Sequence, residues 1–143
     1  MHAFDRLKVL LIEDQELDRM MVERAFRKSD VLVDLRVARD GVEALDVLRG
    51  SEGCAPLEAP YLILLDLNMP HMDGVEFLVH LRSDPRLKGS IVFVLTTSYH
   101  EADLLACYDH GIAGFFLKES LGEKSDALVR LVDEYWKLVE LPS

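Results

Sequence analysis

Residues 61–74 read Tyr61-Leu-Ile-Leu-Leu-Asp66-Leu-Asn-Met-Pro70-His-Met-Asp-Gly74, and this stretch decides the fold. Its unbroken apolar run is typical of a strand that is buried on both faces of a parallel sheet. The run ends directly on the carboxylate of Asp66. Because burying an ionised carboxylate is costly unless a cation compensates its charge, the end of this strand predicts a site that uses Asp66.

A second acidic group follows the first apolar run of the chain. Glu13 and Asp14 come directly after Val9-Leu-Leu-Ile12. Open parallel sheets bind ligands at the carboxyl ends of their strands, so we expect both acids to lie beside Asp66. Three neighbouring carboxylates raise one another's pKa values unless a cation lies between them. The pattern predicts a divalent metal site, although the residues alone also allow the acidic pair to cap the next helix.

Composition limits the class of protein. The chain has 143 residues, half of them hydrophobic and 29% charged, which predicts one globular domain. A net charge of −10 weighs against direct nucleic-acid binding, which depends on cationic groups. No apolar segment approaches the roughly 20 residues that cross a bilayer. Cys54 and Cys107 lack metal-binding or redox spacing, so we expect a cytoplasmic protein with no membrane partner.

Five apolar runs alternate with segments of helical period, which predicts a doubly wound α/β fold with a parallel sheet. The predicted strands lie near residues 7–12, 31–37, 61–65, 91–95 and 114–117. The apolar faces that we expect the helices to bury comprise Leu17, Met20, Met21 and Phe26 in the first helix, Val42, Leu45 and Leu48 in the second, and Leu128, Leu131, Val132, Tyr135, Leu138 and Val139 in the last.

Capping signals mark the predicted helix ends. Asp40, with Glu43, reads as an N-cap pair before the second helix; the third helix begins around Asp73 and stops before Pro85. The fourth helix is expected from about Tyr99 to His110, with Gly111 as its stop, and the last is expected to start near Ser120 with Glu123 completing a capping box.

Five motifs in this order resemble the receiver domain of bacterial two-component response regulators over about residues 6–139. They are Glu13-Asp14 after the first strand, Asp66 after the third, Thr96 in Val-Leu-Thr-Thr-Ser, Phe115 in the fifth strand, and Lys118 at its end. The resemblance implies the flavodoxin-like receiver fold, with strand order 2-1-3-4-5 and five helices. It also implies a single domain over 1–143, with 135–143 as a helix end and tail and no effector domain.

The same resemblance implies a role for each site residue. Asp66 would accept a phosphoryl group from a histidine kinase, and Lys118 and Thr96 would contact the phosphoryl oxygens. Phosphorylation would draw Thr96 inward and let the ring of Phe115 turn in, which changes the surface that a downstream protein binds. The chemistry would be limited to phosphotransfer and autodephosphorylation at Asp66, so the chain would not be an enzyme acting on other substrates.

A magnesium ion would complete the implied site, because Mg²⁺ prefers oxygen ligands and retains several waters. The implied ligands are Glu13, Asp14, Asp66 and the backbone carbonyl of Asn68.

Two departures from the usual receiver pattern relate the chain to one subgroup of receivers. Glu119 follows Lys118 where receivers commonly have proline, and Thr97 follows Thr96 where a small residue is usual. With the tail Glu-Tyr-Trp-Lys-Leu-Val-Glu-Leu-Pro at 134–142, these features are similar to single-domain response regulators that accept phosphate from bacterial phytochromes. This subgroup implies a phytochrome histidine kinase as the partner.

The C-terminal residues Tyr135, Trp136, Leu138 and Leu141 offer more apolar surface than one helix hides on a sheet face. Exposed apolar surface of this extent predicts a homodimer. The alternative is a helix that simply completes the core of one chain.

Two other functions are compatible with this type of site. A pseudo-receiver would bind partners without phosphorylation, and the departures at Thr97 and Glu119 keep this alternative open. A metal-dependent phosphatase would also form an aspartyl phosphate, but such enzymes place a second acid two residues after the nucleophile. Asn68 occupies that position here, which weighs against turnover of outside substrates.

Overall fold

The computed structural model describes residues 6–69, 72–97, 101–119 and 125–142, and within these ranges five strands alternate with five helices. The strands are β1 (Leu7–Ile12), β2 (Val33–Ala38), β3 (Leu62–Asp66), β4 (Ile91–Thr96) and β5 (Gly114–Leu117). The helices are α1 (Glu16–Lys28), α2 (Gly41–Arg49), α3 (Gly74–Ser83), α4 (Glu101–Asp109) and α5 (Ser125–Leu138). The parallel order β2-β1-β3-β4-β5 confirms the predicted doubly wound α/β fold.

Parallel pairing aligns the carboxyl ends of four neighbouring strands. Ile12 of β1 lies opposite Leu65 of β3, so the residues that follow them, Glu13 and Asp66, lie at the same level. Thr96 lies opposite Leu117, the last residue of β5. The register therefore brings the ends of β1, β3, β4 and β5 to one edge of the sheet.

The sheet is covered on both faces, which explains the unbroken apolar sequences of its inner strands. Alternate side chains of each strand point to opposite faces. The face under α2, α3 and α4 includes Leu10, Ile12, Ile63 and Leu65. The face under α1 and α5 includes Val9, Leu11, Leu62 and Leu64.

The predicted apolar face of α1 is wrong at its first turns. Leu17 and Met20 are 69% and 53% exposed, and the buried stripe consists of Val22, Ala25 and Phe26. Helical spacing of three and four residues extends this stripe back from Val22 to positions 18 and 19, which are polar. The start of α1 therefore turns polar side chains, rather than Leu17 and Met20, toward the edge of the sheet.

Similar corrections apply to exposed leucine and valine positions elsewhere. Val42 is 49% exposed, and only Leu45 and Leu48 of its predicted stripe are buried. In α5 the stripe that contacts the sheet includes Leu128, Val132 and Trp136, whereas Leu131 and Leu138 are 46% and 79% exposed.

The C-terminal surface predicted as an interface is divided between core and solvent. Trp136 is 2% exposed and Leu141 is 9% exposed, and both pack in the core under α1 and α5. Tyr135 is half-buried, with its ring edge-on to Phe93 at 5.2 Å between centroids. The prediction of exposure is therefore wrong for Trp136 and Leu141, because α5 turns Trp136 toward the sheet and the chain after it folds back.

The predicted cap at Asp40 is confirmed, and Asp73, around which the third helix was expected to begin, is also an N-cap. Asp40 and Asp73 accept hydrogen bonds from the backbone N–H groups of Glu43 and Glu76 at 2.8 and 2.9 Å. Gly111 ends the turn after α4 with a φ of 72°. The starts predicted at Tyr99 and Ser120 lie outside the described residues. Within the described ranges, no helix combines the length and the apolar character that crossing a membrane requires.

Gly74 provides a test of the packing behind the site. A Cβ added there would lie 2.8 Å from the Cα of Leu67 and 3.0 Å from the carbonyl oxygen of Asp66. Backbone atoms cannot move aside easily, so we expect Gly74→Ala to destabilise the protein by about 1 to 3 kcal/mol in urea unfolding. Gly89→Ala is the matched control, because its Cβ would approach nothing closer than Pro142 at 3.7 Å. Equal losses in the two variants would contradict the close contact at Gly74.

Candidate functional site

Three carboxylates converge at the carboxyl edge of the sheet. Glu13 follows β1, Asp66 ends β3, and their side chains are 0% and 1% exposed. Asp14 lies beside them and is half-buried. One oxygen from each of the three carboxylates lies within 4.8 Å of the others. The structure thus brings together the three acids that the sequence predicted to meet.

Lys118 brings a buried positive charge to these acids. It follows β5, and its backbone N–H donates to the carbonyl oxygen of Thr96 at 2.7 Å. Its Nζ lies 2.8 Å from Glu13 Oε2, 2.9 Å from Asp18 Oδ2 and 3.2 Å from Asp66 Oδ1. Only 7% of the lysine side chain is exposed, so water screens these contacts weakly.

Burial and mutual repulsion change the acidity of the site. Burial and the neighbouring charge of Glu13 raise the pKa of Asp66 to about 8, although Lys118 and the N–H of Asn68 oppose the shift. Burial lowers the pKa of Lys118, but its contacts with Glu13, Asp18 and Asp66 outweigh that effect and raise it above the ordinary lysine value. One lysine therefore does not fully compensate the buried carboxylates.

The donor set fits a hard divalent cation. Asp14 Oδ1 and Asp66 Oδ2 are buried and lack a hydrogen-bond donor among the described residues. A cation at this position would satisfy both oxygens and relieve the raised pKa of Asp66. Neither acid is itself the N-cap of α1, which is Gln15.

The chain before α1 is held by contacts to its own backbone. The guanidinium of Arg19 donates to the carbonyl oxygens of Glu13 and Asp14 at 3.0 and 2.8 Å. Glu13 Oε1 accepts the backbone N–H of Gln15 at 3.1 Å. These bonds fix both acids relative to the first turn of α1.

Thr96 and Phe115, the residues of the predicted switch, lie on the neighbouring strands β4 and β5. Thr96 is 2% exposed at the end of β4. Phe115 is half-buried and packs edge-on to the ring of Tyr108, with 6.4 Å between centroids. Their change on phosphorylation stays a prediction.

Residues near Asp66 carry the departures noted in the sequence. Asn68 is exposed, and its backbone N–H donates to Asp66 Oδ1 at 3.2 Å. The ligand role of its carbonyl stays a prediction. Thr97 and Glu119 are exposed, so neither fills the buried part of the site.

Sequence reasoning missed Asp18. Its Oδ2 accepts a hydrogen bond from Lys118 Nζ at 2.9 Å, across 100 positions of chain. The available signal was helical spacing, because Asp18 lies four residues before Val22 and so on the same side of α1 as its buried stripe. The pairing with Lys118 required the tertiary structure.

Residues 9–132 match the family model described as the response regulator receiver domain. Response regulator Rcp1 of a Synechocystis species is 33% identical over 136 residues, which cover 94% of this chain and 92% of Rcp1. A structure of Rcp1 in its Mn²⁺-bound form has a TM-score of 0.76 at 32% identity, covering 96% of this chain and 99% of that chain.

Two further solved structures of similar fold are phytochrome response regulators. The phosphorylated cyanobacterial phytochrome response regulator RcpA has a TM-score of 0.80 and 36% identity, covering 96% of this chain and 99% of RcpA. The bacteriophytochrome response regulator AtBRR has a TM-score of 0.76 and 30% identity, covering 97% of this chain and 99% of AtBRR. The similarity therefore extends over the whole receiver fold of each.

The raised pKa of Asp66 predicts how the metal-free protein responds to pH. The carboxyl titrates near 3.8 in the unfolded chain and near 8 in the folded one. Between these values the unfolded state loses the proton first, so the acid destabilises the fold progressively as pH rises from 3.8 to about 8. Asp66→Asn removes that effect and should stabilise the metal-free protein at pH 8 by roughly 1 to 3 kcal/mol.

Urea unfolding in a chelator from about pH 5 to about pH 8 measures this difference. The gap between variant and wild type should widen with pH and shrink when Mg²⁺ is added to the wild type. Asp126→Asn is the control, because its carboxylate is 78% exposed. A gap that does not change with pH would show that Asp66 ionises normally.

Proposed function

The chain belongs to the response regulator receiver domain family, and from this we propose that Asp66 is its phosphoacceptor, with Lys118 and Thr96 assisting. Members of this family act as phosphoacceptors in two-component signalling. The observation that supports the assignment is the contact of buried Asp66 with buried Lys118 beside two further acids. An ordinary core would not assemble four charged groups at one strand edge.

The transfer requires positioning and charge neutralisation rather than a base. One oxygen of the Asp66 carboxylate attacks phosphorus, the bond from phosphorus to the donor breaks, and the donor keeps the electron pair. The product is an acyl phosphate on Asp66. In the dephosphorylation step, water attacks phosphorus and the bond from phosphorus to the Asp66 oxygen breaks. Inorganic phosphate leaves and the carboxylate is restored. Both steps occur at Asp66 alone, so no other substrate is turned over.

The neighbouring side chains divide the remaining tasks. Lys118 would donate to a phosphoryl oxygen, and the Thr96 hydroxyl would donate to another. Mg²⁺ is the cation that we propose for Glu13, Asp14, Asp66 and the carbonyl of Asn68, where it would neutralise carboxylate and phosphoryl charge. The orphaned carboxylate oxygens of Asp14 and Asp66 support this part of the proposal.

The output of the site would be a change of surface. Thr96 moving toward the phosphoryl group would free space for the ring of Phe115, which contacts Tyr108 of α4. Leu105 and Tyr108 on α4 are 58% and 47% exposed. A downstream protein would recognise this face, and the acidic charge of the chain makes direct nucleic-acid binding unfavourable.

The partner that supplies the phosphoryl group would be a histidine kinase, and we propose a bacterial phytochrome. This rests on the relatives Rcp1, RcpA and AtBRR, two of which are described as phytochrome response regulators. A single receiver domain in the cytoplasm is consistent with the free cysteines Cys54 and Cys107 and with the near-complete coverage of Rcp1.

Phosphorylation at Asp66 is tested by intact mass after incubation with Mg²⁺ and acetyl phosphate. We expect wild type to gain one phosphoryl group and Asp66→Asn to gain none. Asp73→Asn serves as a matched acidic control in the same connection, where Asp73 only caps α3. We expect it to be labelled like wild type.

No mass gain in folded, Mg²⁺-bound wild type would refute the phosphoacceptor assignment and favour a pseudo-receiver. Gain in wild type and in Asp66→Asn alike would assign the phosphoryl group to another residue.

The homodimer through α5 remains part of the proposal, with a smaller surface than the sequence suggested. Leu131 and Leu138 supply its exposed apolar side chains, and half-buried Tyr135 lies between them. Leu138→Glu would bury a charge in such an interface, so we expect a wild-type dimer and a monomeric variant by sedimentation at micromolar concentration. Leu32→Glu is the control, since Leu32 is 69% exposed next to β2. A monomer at every wild-type concentration would exclude the dimer.

A further inference from the structure

Three carboxylates share the ammonium group of Lys118. Their oxygens lie at 2.8 Å for Glu13, 2.9 Å for Asp18 and 3.2 Å for Asp66. An ammonium has three N–H donors and no more. In this state three carboxylates surround those donors; among the described residues, Asp18 is the one that accepts a hydrogen bond from the ammonium, and Asp66 is the most distant of the three.

Asp18 differs from the other two carboxylates in its surroundings. It is not among the acids whose oxygens converge as a metal group, which are Glu13, Asp14 and Asp66. Its side chain is 22% exposed, whereas those of Glu13 and Asp66 are 0% and 1% exposed. Asp18 thus contacts the lysine from the solvent side of the site. It is placed to bind Lys118 and not a metal ion.

The position of Asp18 is fixed in advance by α1. Asp18 lies in the first turn of that helix, and the next residue, Arg19, donates to the carbonyl oxygens of Glu13 and Asp14. The helix start is therefore tied to the end of β1. Because the backbone of Asp18 is already held in the helix, the contact of its carboxylate with Lys118 costs less conformational entropy than it would from a loose chain.

Phosphorylation gives Lys118 a new acceptor, so at least one existing contact must weaken. Releasing Glu13 would leave a fully buried carboxylate without its cation, which is costly. Releasing Asp18 costs less, because water can reach its partly exposed carboxylate. We propose that Asp18 is a positioning residue that holds Lys118 in the unphosphorylated protein and competes with the phosphoryl group for it. The carboxylate on α1 thereby slows phosphorylation of Asp66.

This inference rests on the proposed function and is tested with Asp18→Asn, which keeps the shape of the side chain and removes its charge. The rate of phosphorylation by acetyl phosphate at saturating Mg²⁺ is followed by intact mass. We expect the variant to be phosphorylated at least about threefold faster than wild type, because coupled charge pairs of this kind commonly change rates or equilibria by such factors. Glu16→Gln is the matched control, since it removes the same charge from an exposed position in the same turn.

A double-mutant cycle separates competition for the lysine from a general effect of charge on an anionic donor. We expect Asp18→Asn to accelerate phosphorylation when Lys118 is present, and the Asp18→Asn and Lys118→Gln double variant to be no faster than Lys118→Gln alone. Acceleration by the same factor in both backgrounds would overturn the inference, as would a rate for Asp18→Asn that equals or falls below that of Glu16→Gln. Wild type that takes up no phosphoryl group would overturn the proposed function and this inference together, whereas labelled wild type with an unaccelerated variant would overturn only the role of Asp18.

Discussion

The sharing of one buried ammonium among carboxylates is the interaction on which the site depends. Lys118 is the only buried cation among the residues that the structure describes, and it faces two carboxylates that are almost completely buried. Without it, Glu13 and Asp66 would be buried with no neighbouring cation to favour their ionised forms. The lysine makes the acidic edge of the sheet compatible with a folded chain, but it leaves negative charge in excess. A divalent cation bound among Glu13, Asp14 and Asp66 would compensate that excess.

The parallel sheet is the means by which distant residues reach this arrangement. Each contributing residue follows a strand that is apolar on both faces, so the strand itself cannot slide without burying a charge or exposing a leucine. The register places Glu13 level with Asp66 and brings the end of β5 to the end of β4. Packing of α3 close to the backbone of Leu67, through Gly74, holds the connection after Asp66. The packing that stabilises this edge of the sheet therefore also positions the residues of the site.

Helix α1 has a larger part in the site than an amphipathic helix usually has. Its buried stripe is apolar at Val22, Ala25 and Phe26 and becomes polar at Asp18 and Arg19, which lie at the edge of the sheet. Arg19 fixes the acidic pair through backbone carbonyls, and Asp18 reaches the lysine. The exposure of Leu17 and Met20 is the consequence of that orientation. The same helix thus holds the acidic pair in place through Arg19 and restrains Lys118 through Asp18.

The sequence by itself determined the fold class, the strand order by resemblance, and the meeting of Glu13, Asp14 and Asp66, because apolar runs that end in charge have few other solutions in a parallel sheet. It also determined the cap at Asp40, which depends on a local hydrogen bond. Only the tertiary structure decided that Trp136 is core, that Leu17 is exposed, and that Asp18 binds Lys118. These outcomes depend on how each helix is rotated against the sheet, and helical period alone leaves that rotation undetermined when apolar residues occur on more than one side.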